Sequence, residues 1–241
     1  MPRAVVCLPT YNERENLEPM VRALGERLDP ARDRVLVIDD ASPDGTGELA
    51  DALAAELPWV EVLHRARKDG LGPAYLAGFA RALEAGPELI LEVDCDFSHD
   101  PDDVPRLIAA CESGADLALG SRYVEGGSTV NWGIVRRFVS RGGSLYARVL
   151  LGVGVHDLTG GFKCFRRRVL EEIDLDAVTA KGYAFQIELT YRALRHGFTV
   201  VELPIRFVDR VVGGSKMSRA IVLEAVWRVP ALRLRALLGR L

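Results

Sequence analysis

Four short apolar runs, residues 4–8, 34–38, 60–64 and 89–93, alternate with stretches whose apolar positions recur at helical spacing. Strands separated by helices of about ten to fifteen residues indicate parallel βαβ units, so the chain is expected to be an α/β protein, a mostly parallel sheet flanked by helices on both faces. Three polar clusters, residues 10–13, 39–44 and 94–100, each follow directly after one of these strands. Ligands of such sheets sit outside the carboxyl ends of the strands, so the three clusters are expected to converge on one crevice.

Beyond residue 100 the pattern loosens. Residues 105–113 read as helix and 116–119 as extended chain; 134–151 read as a helix carrying Arg136, Arg137, Arg141 and Arg148. A strand over 163–166, helices over 169–173 and 185–196, and a strand over 199–204 complete the compact part, with irregular Gly-containing stretches at 124–132 and 156–162. At 49% hydrophobic and 27% charged residues, a chain of 241 has the composition of a folded globular protein. A net charge of −3 gives no global reason to expect a nucleic-acid partner. Cys7, Cys95, Cys111 and Cys164 lie far apart without zinc spacing, the usage of a reduced compartment. The first residues enter a strand without a leader-like apolar region, and no window approaches the ~18–20 apolar residues a spanning helix needs, so a cytoplasmic protein without its own transmembrane anchor is expected.

The run Asp94-Cys95-Asp96 ends the fourth strand. Two carboxylates one residue apart can hold a hard divalent cation that completes its shell with substrate phosphate oxygens. An Asp at a strand end also commonly bonds the amides of the following turn, so the pair gains meaning only from its company.

That company is an ordered set. Leu8-Pro9-Thr10-Tyr11-Asn12-Glu13 comes first, then Asp39-Asp40-Ala41-Ser42-Pro43-Asp44-Gly45-Thr46, then Asp94-Cys95-Asp96 and Gly120-Ser121-Arg122-Tyr123. Thr159-Gly160-Gly161-Phe162, Gly182-Tyr183 with Gln186 and Glu188, Asp209-Arg210 and Gly214-Ser215-Lys216 follow. From about residue 4 to 218 the chain resembles the polyprenol (dolichol) phosphate mannose synthases, family 2 glycosyltransferases of GT-A (Rossmann-like) fold. The resemblance implies an inverting enzyme that moves mannose from GDP-mannose to polyprenyl phosphate with Mg²⁺ or Mn²⁺ as cofactor.

The residues suit that chemistry. A nucleoside needs an apolar or aromatic wall and acidic groups, which Pro9, Tyr11, Glu13, Ile38 and Asp40 supply from two adjacent strand ends. Taken alone, Tyr11 and Glu13 would read as a helix-entry turn, and Asp39 is expected to orient the Asp40 loop rather than touch ligand. Asp94 and Asp96 are the expected metal ligands. Ser98 is a weaker or water-mediated candidate, because some relatives carry the longer Gln there. Cys95 is expected to approach the donor through its backbone, without a thiol role. By the resemblance, Arg122, Arg136 and Ser140 surround the acceptor phosphate, Arg210 and Lys216 span donor and acceptor phosphates, and Asp96, Arg122 and Arg210 are the catalytic residues. Bidentate guanidinium groups suit phosphate well. Arg137 and Arg141 read as a solvated helix face, Asp157 and Glu188 as groups that position arginines or sugar hydroxyls, and His99 as turn structure.

Residues 216–241 carry Lys216, Arg219, Arg228, Arg233, Arg235 and Arg240 against the single acid Glu224, among Ile, Val, Leu and Trp, and Pro230 divides them. A basic amphipathic tail of this kind is expected to lie on the cytoplasmic face of a membrane, or to pack as a helix on the catalytic domain. The expected division is therefore a catalytic domain over 1–215 and a tail over 216–241, compatible with a separate or fused membrane-anchoring domain. The competing functions are transfer from UDP-glucose or another UDP-sugar, which Asp-x-Asp does not distinguish, and a non-catalytic nucleotide-sugar-binding protein. Nucleotidyl transfer would prefer a Gly-rich phosphate loop, which residues 8–13 do not resemble.

Overall fold

The computed structural model describes residues 1–180, 182–209, 219–239 and 241, with the backbone alone for 219–225. The first half runs β1 (Ala4–Thr10), α1 (Arg14–Gly25), β2 (Asp33–Asp39), α2 (Thr46–Glu56), β3 (Val60–His64), α3 (Leu71–Ala85) and β4 (Leu89–Glu92). After it come α4 (Val104–Glu112), β5 (Leu117–Ser121), β6 (Ser128–Val130), α5 (Ile134–Leu151), β7 (Lys163–Arg166) and α6 (Arg167–Glu172). The chain continues through α7 (Gly182–Arg195), β8 (Val200–Pro204), β9 (Arg206–Val208) and α8 (Arg219–Leu237).

Seven strands form one sheet in the order β3-β2-β1-β4-β7-β5-β8, parallel except for β7, which pairs antiparallel with both β4 and β5. The chain leaves β1 for β2 on one side and returns as β4 on the other, and a crevice opens at such a reversal of strand order. β6 and β9 pair as a separate two-stranded parallel sheet that the irregular composition of 124–132 concealed. Gly127 permits the approach that leads into it: a Cβ there would lie 2.6 Å from the Ser121 carbonyl oxygen and 2.8 Å from the Arg122 carbonyl carbon.

Helices cover both faces. On α1 the buried positions Leu17, Met20, Val21 and Leu24 recur at three- and four-residue steps, and burying each such side chain contributes about 1.5–3 kcal/mol. On the other face α3 lies close on the sheet: a Cβ at Gly78 would come 2.7 Å from Ile38 Cδ1. All four cysteines are buried and free.

The tail packs on the body. Val229, Leu232 and Ala236 of α8 join Ala147 and Leu151 of α5 and Ile187 and Tyr191 of α7 in a third core cluster. Pro230 does not divide the tail as its sequence suggests; the helix runs through it. Proline withholds an N–H from the carbonyl four residues back, and that carbonyl, of Val226, instead accepts the Tyr146 hydroxyl at 2.9 Å. The expected boundary at 215/216 falls outside the described residues. No described helix is long and apolar enough to cross a membrane.

Candidate active site

At the ends of β1 and β2, Thr10 Oγ1 donates to Asp39 Oδ1 at 3.4 Å, and Asp39 Oδ2 accepts the Ser42 N–H at 3.2 Å. Asp39 thus shapes the loop that presents Asp40. Asp40 is itself locked: its N–H donates to the Thr10 carbonyl at 3.0 Å, and its carboxylate pairs with Arg65. Lys68 lies 3.6 Å from the centroid of the Tyr11 ring, so Tyr11 and Asp40 each have a cation from the β3–α3 connection beside them. Glu13 Oε2 accepts from Asn16 at 2.8 Å, and its N–H donates to Thr46 Oγ1 at 3.1 Å. Pro9 and Ile38 are register partners across β1 and β2. The Ile38 side chain is fully buried in the core against α3.

The acidic loop after β4 is braced from three sides. The Tyr75 hydroxyl of α3 donates to Asp94 Oδ1 at 3.0 Å. The Asp94 N–H donates to His99 Nδ1 at 3.0 Å, which leaves the ring proton on Nε2, 3.9 Å from Asp94 Oδ2. Asp96 Oδ1 accepts the Ser98 N–H at 3.0 Å across Phe97, whose φ of +57° puts the tight turn in the left-handed region. His99, expected to be mere turn, is buried and stacks on Phe162 with centroids 4.7 Å apart. Cys95 points into the core, where burial first, and then the charges of Glu13, Asp96 and Asp94, hold its thiol well above its usual pKa.

Asp94, Asp96 and the Ser98 hydroxyl are hard oxygen donors, and Ser98 Oγ is buried without a hydrogen-bond partner among the described residues. No cluster of three or more His, Cys, Asp or Glu side chains that could hold a metal occurs among them. That donor set fits Mg²⁺ or Mn²⁺, which take one or two carboxylates and complete their shell with water and substrate phosphate. Behind the loop, Glu92 and Lys163 are fully buried 3.8 Å apart, with Lys163 donating to the Gln186 carbonyl at 3.1 Å. Burial, only partly offset by Lys163, pushes Glu92 up to about 7, and burial brings Lys163 down to about 8.

A second cluster is cationic. Arg122 is buried, its guanidinium held by Asp157 and by Thr159 Oγ1, which accepts from Nη2 at 2.9 Å. Asp157 is presented by Glu202 of β8, which accepts the backbone N–H groups of His156 at 2.7 Å and of Asp157 at 2.9 Å. Tyr123 donates to Ser140 Oγ at 2.7 Å, and Arg136 donates to Asp209 at 2.5 Å. Trp132 joins the two arginines: its ring centroid lies 4.2 Å from Arg136 Cζ and 5.4 Å from Arg122 Cζ. Arg122, Arg136 and Ser140 are thus gathered in one place. Phe207 links this cluster to the acidic loop, edge-on both to Trp132 at 5.3 Å and to His99 at 5.6 Å.

Arg210 and Lys216 lie outside the described residues. Glu188 pairs with Arg192 on the next turn of α7, and Arg192 in turn donates to the Ile173 carbonyl at 3.2 Å, so this carboxylate braces the helix against the body. Arg137 and Arg141 are exposed. Tyr75, His99, Arg65, Trp132 and Glu202 carried no separate signal in the sequence. Tyr75 with Phe79 has the spacing of a core stripe, Arg65 and Glu202 act on partners 25 or more residues away, and His99 and Trp132 sit near their polar partners but look like ordinary turn or core residues.

Against the cationic cluster lies an apolar cavity of about 340 Å³, walled by Phe138, Gly143, Tyr183, Ile187, Val226 and Val229 and touching Ser140 and Thr159. It is lined by residues of α5, α7 and α8, which pack together elsewhere along their length, and falls within the ~300–1,000 Å³ of small-molecule sites.

The sequence model of Glycosyl transferase family 2 matches residues 5–174. The chain is 51% identical over 239 residues to a polyprenol monophosphomannose synthase of Mycolicibacterium smegmatis, covering 99% of this chain and 89% of that one. It is 51% identical over 227 residues to an undecaprenyl-phosphate mannosyltransferase of Micrococcus luteus, covering 94% and 92%. In fold it is similar to glucosyl-3-phosphoglycerate synthase from Mycobacterium tuberculosis, solved with Mn²⁺, UDP-glucose and phosphoglyceric acid, at a TM-score of 0.69 and 20% identity over 95% of this chain and 80% of that one.

Proposed function

The chain belongs to glycosyl transferase family 2, and on that premise we propose that it moves mannose from GDP-mannose to the phosphate of a polyprenyl phosphate, giving polyprenyl-phosphate-mannose. The observation that carries the acceptor is the apolar cavity set directly against Ser140 and Thr159, beside Arg122. A charged head and an apolar tail are the two halves of a lipid phosphate, and the site supplies a surface for each.

In this scheme Tyr11, Glu13 and Asp40 bind the nucleoside, with Arg65 fixing the Asp40 carboxylate. Asp94 and Asp96, aided by Ser98, would hold Mg²⁺ or Mn²⁺, which when bound supplies charge neutralisation for the departing diphosphate. Tyr75 and His99 keep the Asp94 backbone and carboxylate in place. Arg122, Arg136 and Ser140 orient the acceptor phosphate, and Arg210 and Lys216 bridge it to the donor. A phosphate monoester is largely ionised near neutral pH, so its oxygen can attack the anomeric carbon without a strong general base. Displacement is then in line with inversion, and the protein contributes positioning and charge stabilisation. Asp157 is bound up with Arg122 and takes no proton.

The lipid acceptor implies a surface that meets the membrane. Val135, Phe138, Leu145 and Val149 of α5 and Trp227, Leu234 and Leu237 of α8 are exposed apolar residues, with Arg137 and Arg141 alongside. We assign this face to the cytoplasmic surface of a bilayer, apolar side chains inserted and arginines on anionic headgroups.

The test is incubation with a panel of nucleotide sugars and a short polyprenyl phosphate, with and without EDTA. GDP-mannose is expected to react alone and to stop with EDTA. Reaction with UDP-glucose alone would overturn the donor, and turnover unaffected by EDTA would remove the role given to Asp94 and Asp96.

A further inference from the structure

Three features meet at the start of α5. The helix opens on Gly133, which offers no side chain to its first amides, and its first turn carries no acid. Uncapped N–H groups and the helix dipole make such an end a seat for an anion. Trp132, immediately before it, is only 5% exposed, yet its Nε1–H has no hydrogen-bond partner among the described residues. Arg136, in the first turn, lies over the Trp132 ring at 4.2 Å, and its Nε is likewise buried and unpartnered.

A buried donor left unpaired costs about 1–3 kcal/mol, so two of them stacked at one helix start call for a shared acceptor. Both groups only donate, which excludes a cation and a further donor as the missing partner. The Nη1 of Arg136 is turned to Asp209, so the guanidinium presents Nε on another edge.

We propose that the indole N–H of Trp132, together with Arg136 Nε and the first amides of α5, binds the oxygens of a phosphate monoester, making Trp132 a ligand of the acceptor phosphate. This rests on the acceptor assigned above. The ring has a second duty: lying near both Arg122 and Arg136, it gives the two guanidiniums a common π surface before phosphate arrives.

Trp132→Phe keeps an aromatic plate and removes only the donor. With farnesyl phosphate as acceptor, its KM is expected to rise about tenfold, in line with one hydrogen bond to a charged group, with the KM for the nucleotide sugar unchanged. In ¹⁵N-indole-labelled wild-type protein, the resonance absent from Trp132→Phe is expected to move downfield with farnesyl phosphate and stay in place with farnesol. An unchanged acceptor KM or an unmoved resonance overturns the proposal. Should the wild-type enzyme turn over no polyprenyl phosphate, the assigned function fails, and the resonance titrated with farnesyl phosphate alone decides whether Trp132 binds the phosphate.

Discussion

Arg122 and Asp157 meet in an enclosed bidentate pair, Nε and Nη2 donating to the two carboxylate oxygens at 2.7 and 2.6 Å while the Arg122 backbone N–H adds a third bond at 3.0 Å. Most of the guanidinium is therefore committed to the protein. Removing one member of such a pair strands the other charge, so Arg122→Ala is expected to lose about 3–5 kcal/mol of stability as well as acceptor use. The double variant Arg122→Met/Asp157→Leu should recover most of the stability and none of the activity. Urea unfolding of the set, beside acceptor and donor KM values, separates the two roles. A single arginine variant as stable as wild type would show that the pair is no lock.

The same pair sets a response to acid. Burial alone would raise the Asp157 pKa, but the Arg122 charge and hydrogen bonds outweigh it and hold the carboxylate below its ordinary value. A carboxylate with a depressed folded pKa binds protons less readily than in the unfolded chain. Its contribution is therefore complete above the unfolded value of about 4 and is lost as pH falls through the folded one. Asp157→Asn is expected to lower the melting temperature at pH 7 and to narrow its gap from wild type progressively below about pH 4. A gap that stays constant down to the lowest pH at which both fold would contradict this.

Tyr75 reaches the acidic loop from within α3, stacked near Phe79 and Phe185. Tyr75→Phe preserves those rings and deletes the hydrogen bond to Asp94. Groups that orient a metal ligand typically contribute about 10–100-fold in metal affinity. The Mn²⁺ concentration for half-maximal activity should rise by about tenfold, with the acceptor KM unaffected. If the metal requirement is unchanged, Asp94 is held by His99 and the backbone alone.

Which features were legible in the sequence follows from how local each one is. β1 to β4 are written as short continuous apolar runs and the helices between them in a periodicity of 3.6 residues, and only their ends moved, β1 extending to Thr10. β7 was readable as a strand but not as antiparallel, because direction is decided by where the chain re-enters the sheet. β6 and β9 have three residues each and pair across 78 positions of sequence, too short for any period to register. The acidic loop announced itself through residue type. Its supports did not: His99 lies five residues from Asp94, Tyr75 nineteen before it, and both look like ordinary core or turn. The tail illustrates the opposite limit, since a basic amphipathic composition suits a membrane surface and a packed helix equally, and α8 buries Val229 and Leu232 while exposing Trp227.

On α5 the exposed residues Val135, Phe138, Leu145 and Val149 recur at intervals of three, seven and four, a continuous stripe opposite the buried Ser140, Ser144 and Ala147. Leu145→Ser/Val149→Ser leaves the core side untouched and spares Phe138, which walls the apolar cavity. Each apolar side chain withdrawn from lipid costs about 1.5–3 kcal/mol, so partition onto anionic vesicles should fall by at least about tenfold. Co-sedimentation reads this directly, and unchanged binding would move the membrane contact off α5.

Gly142 and Gly143 stand side by side within α5, where each costs about 1 kcal/mol relative to alanine. A Cβ at Gly143 would meet no atom within 4 Å, so nothing in the packing demands glycine there. What lies beside it is the apolar cavity, of which Gly143 forms part of the wall. Gly143→Ala should therefore raise the melting temperature by about 2–4 °C, the shift expected for ~1 kcal/mol in a chain of this size. It should also impair long-chain polyprenyl phosphate more than a short-chain analogue, by several-fold in KM, with donor KM constant. If Gly143→Ala is stabilised and uses both acceptors as wild type does, the lipid chain runs elsewhere and the cavity is a packing defect.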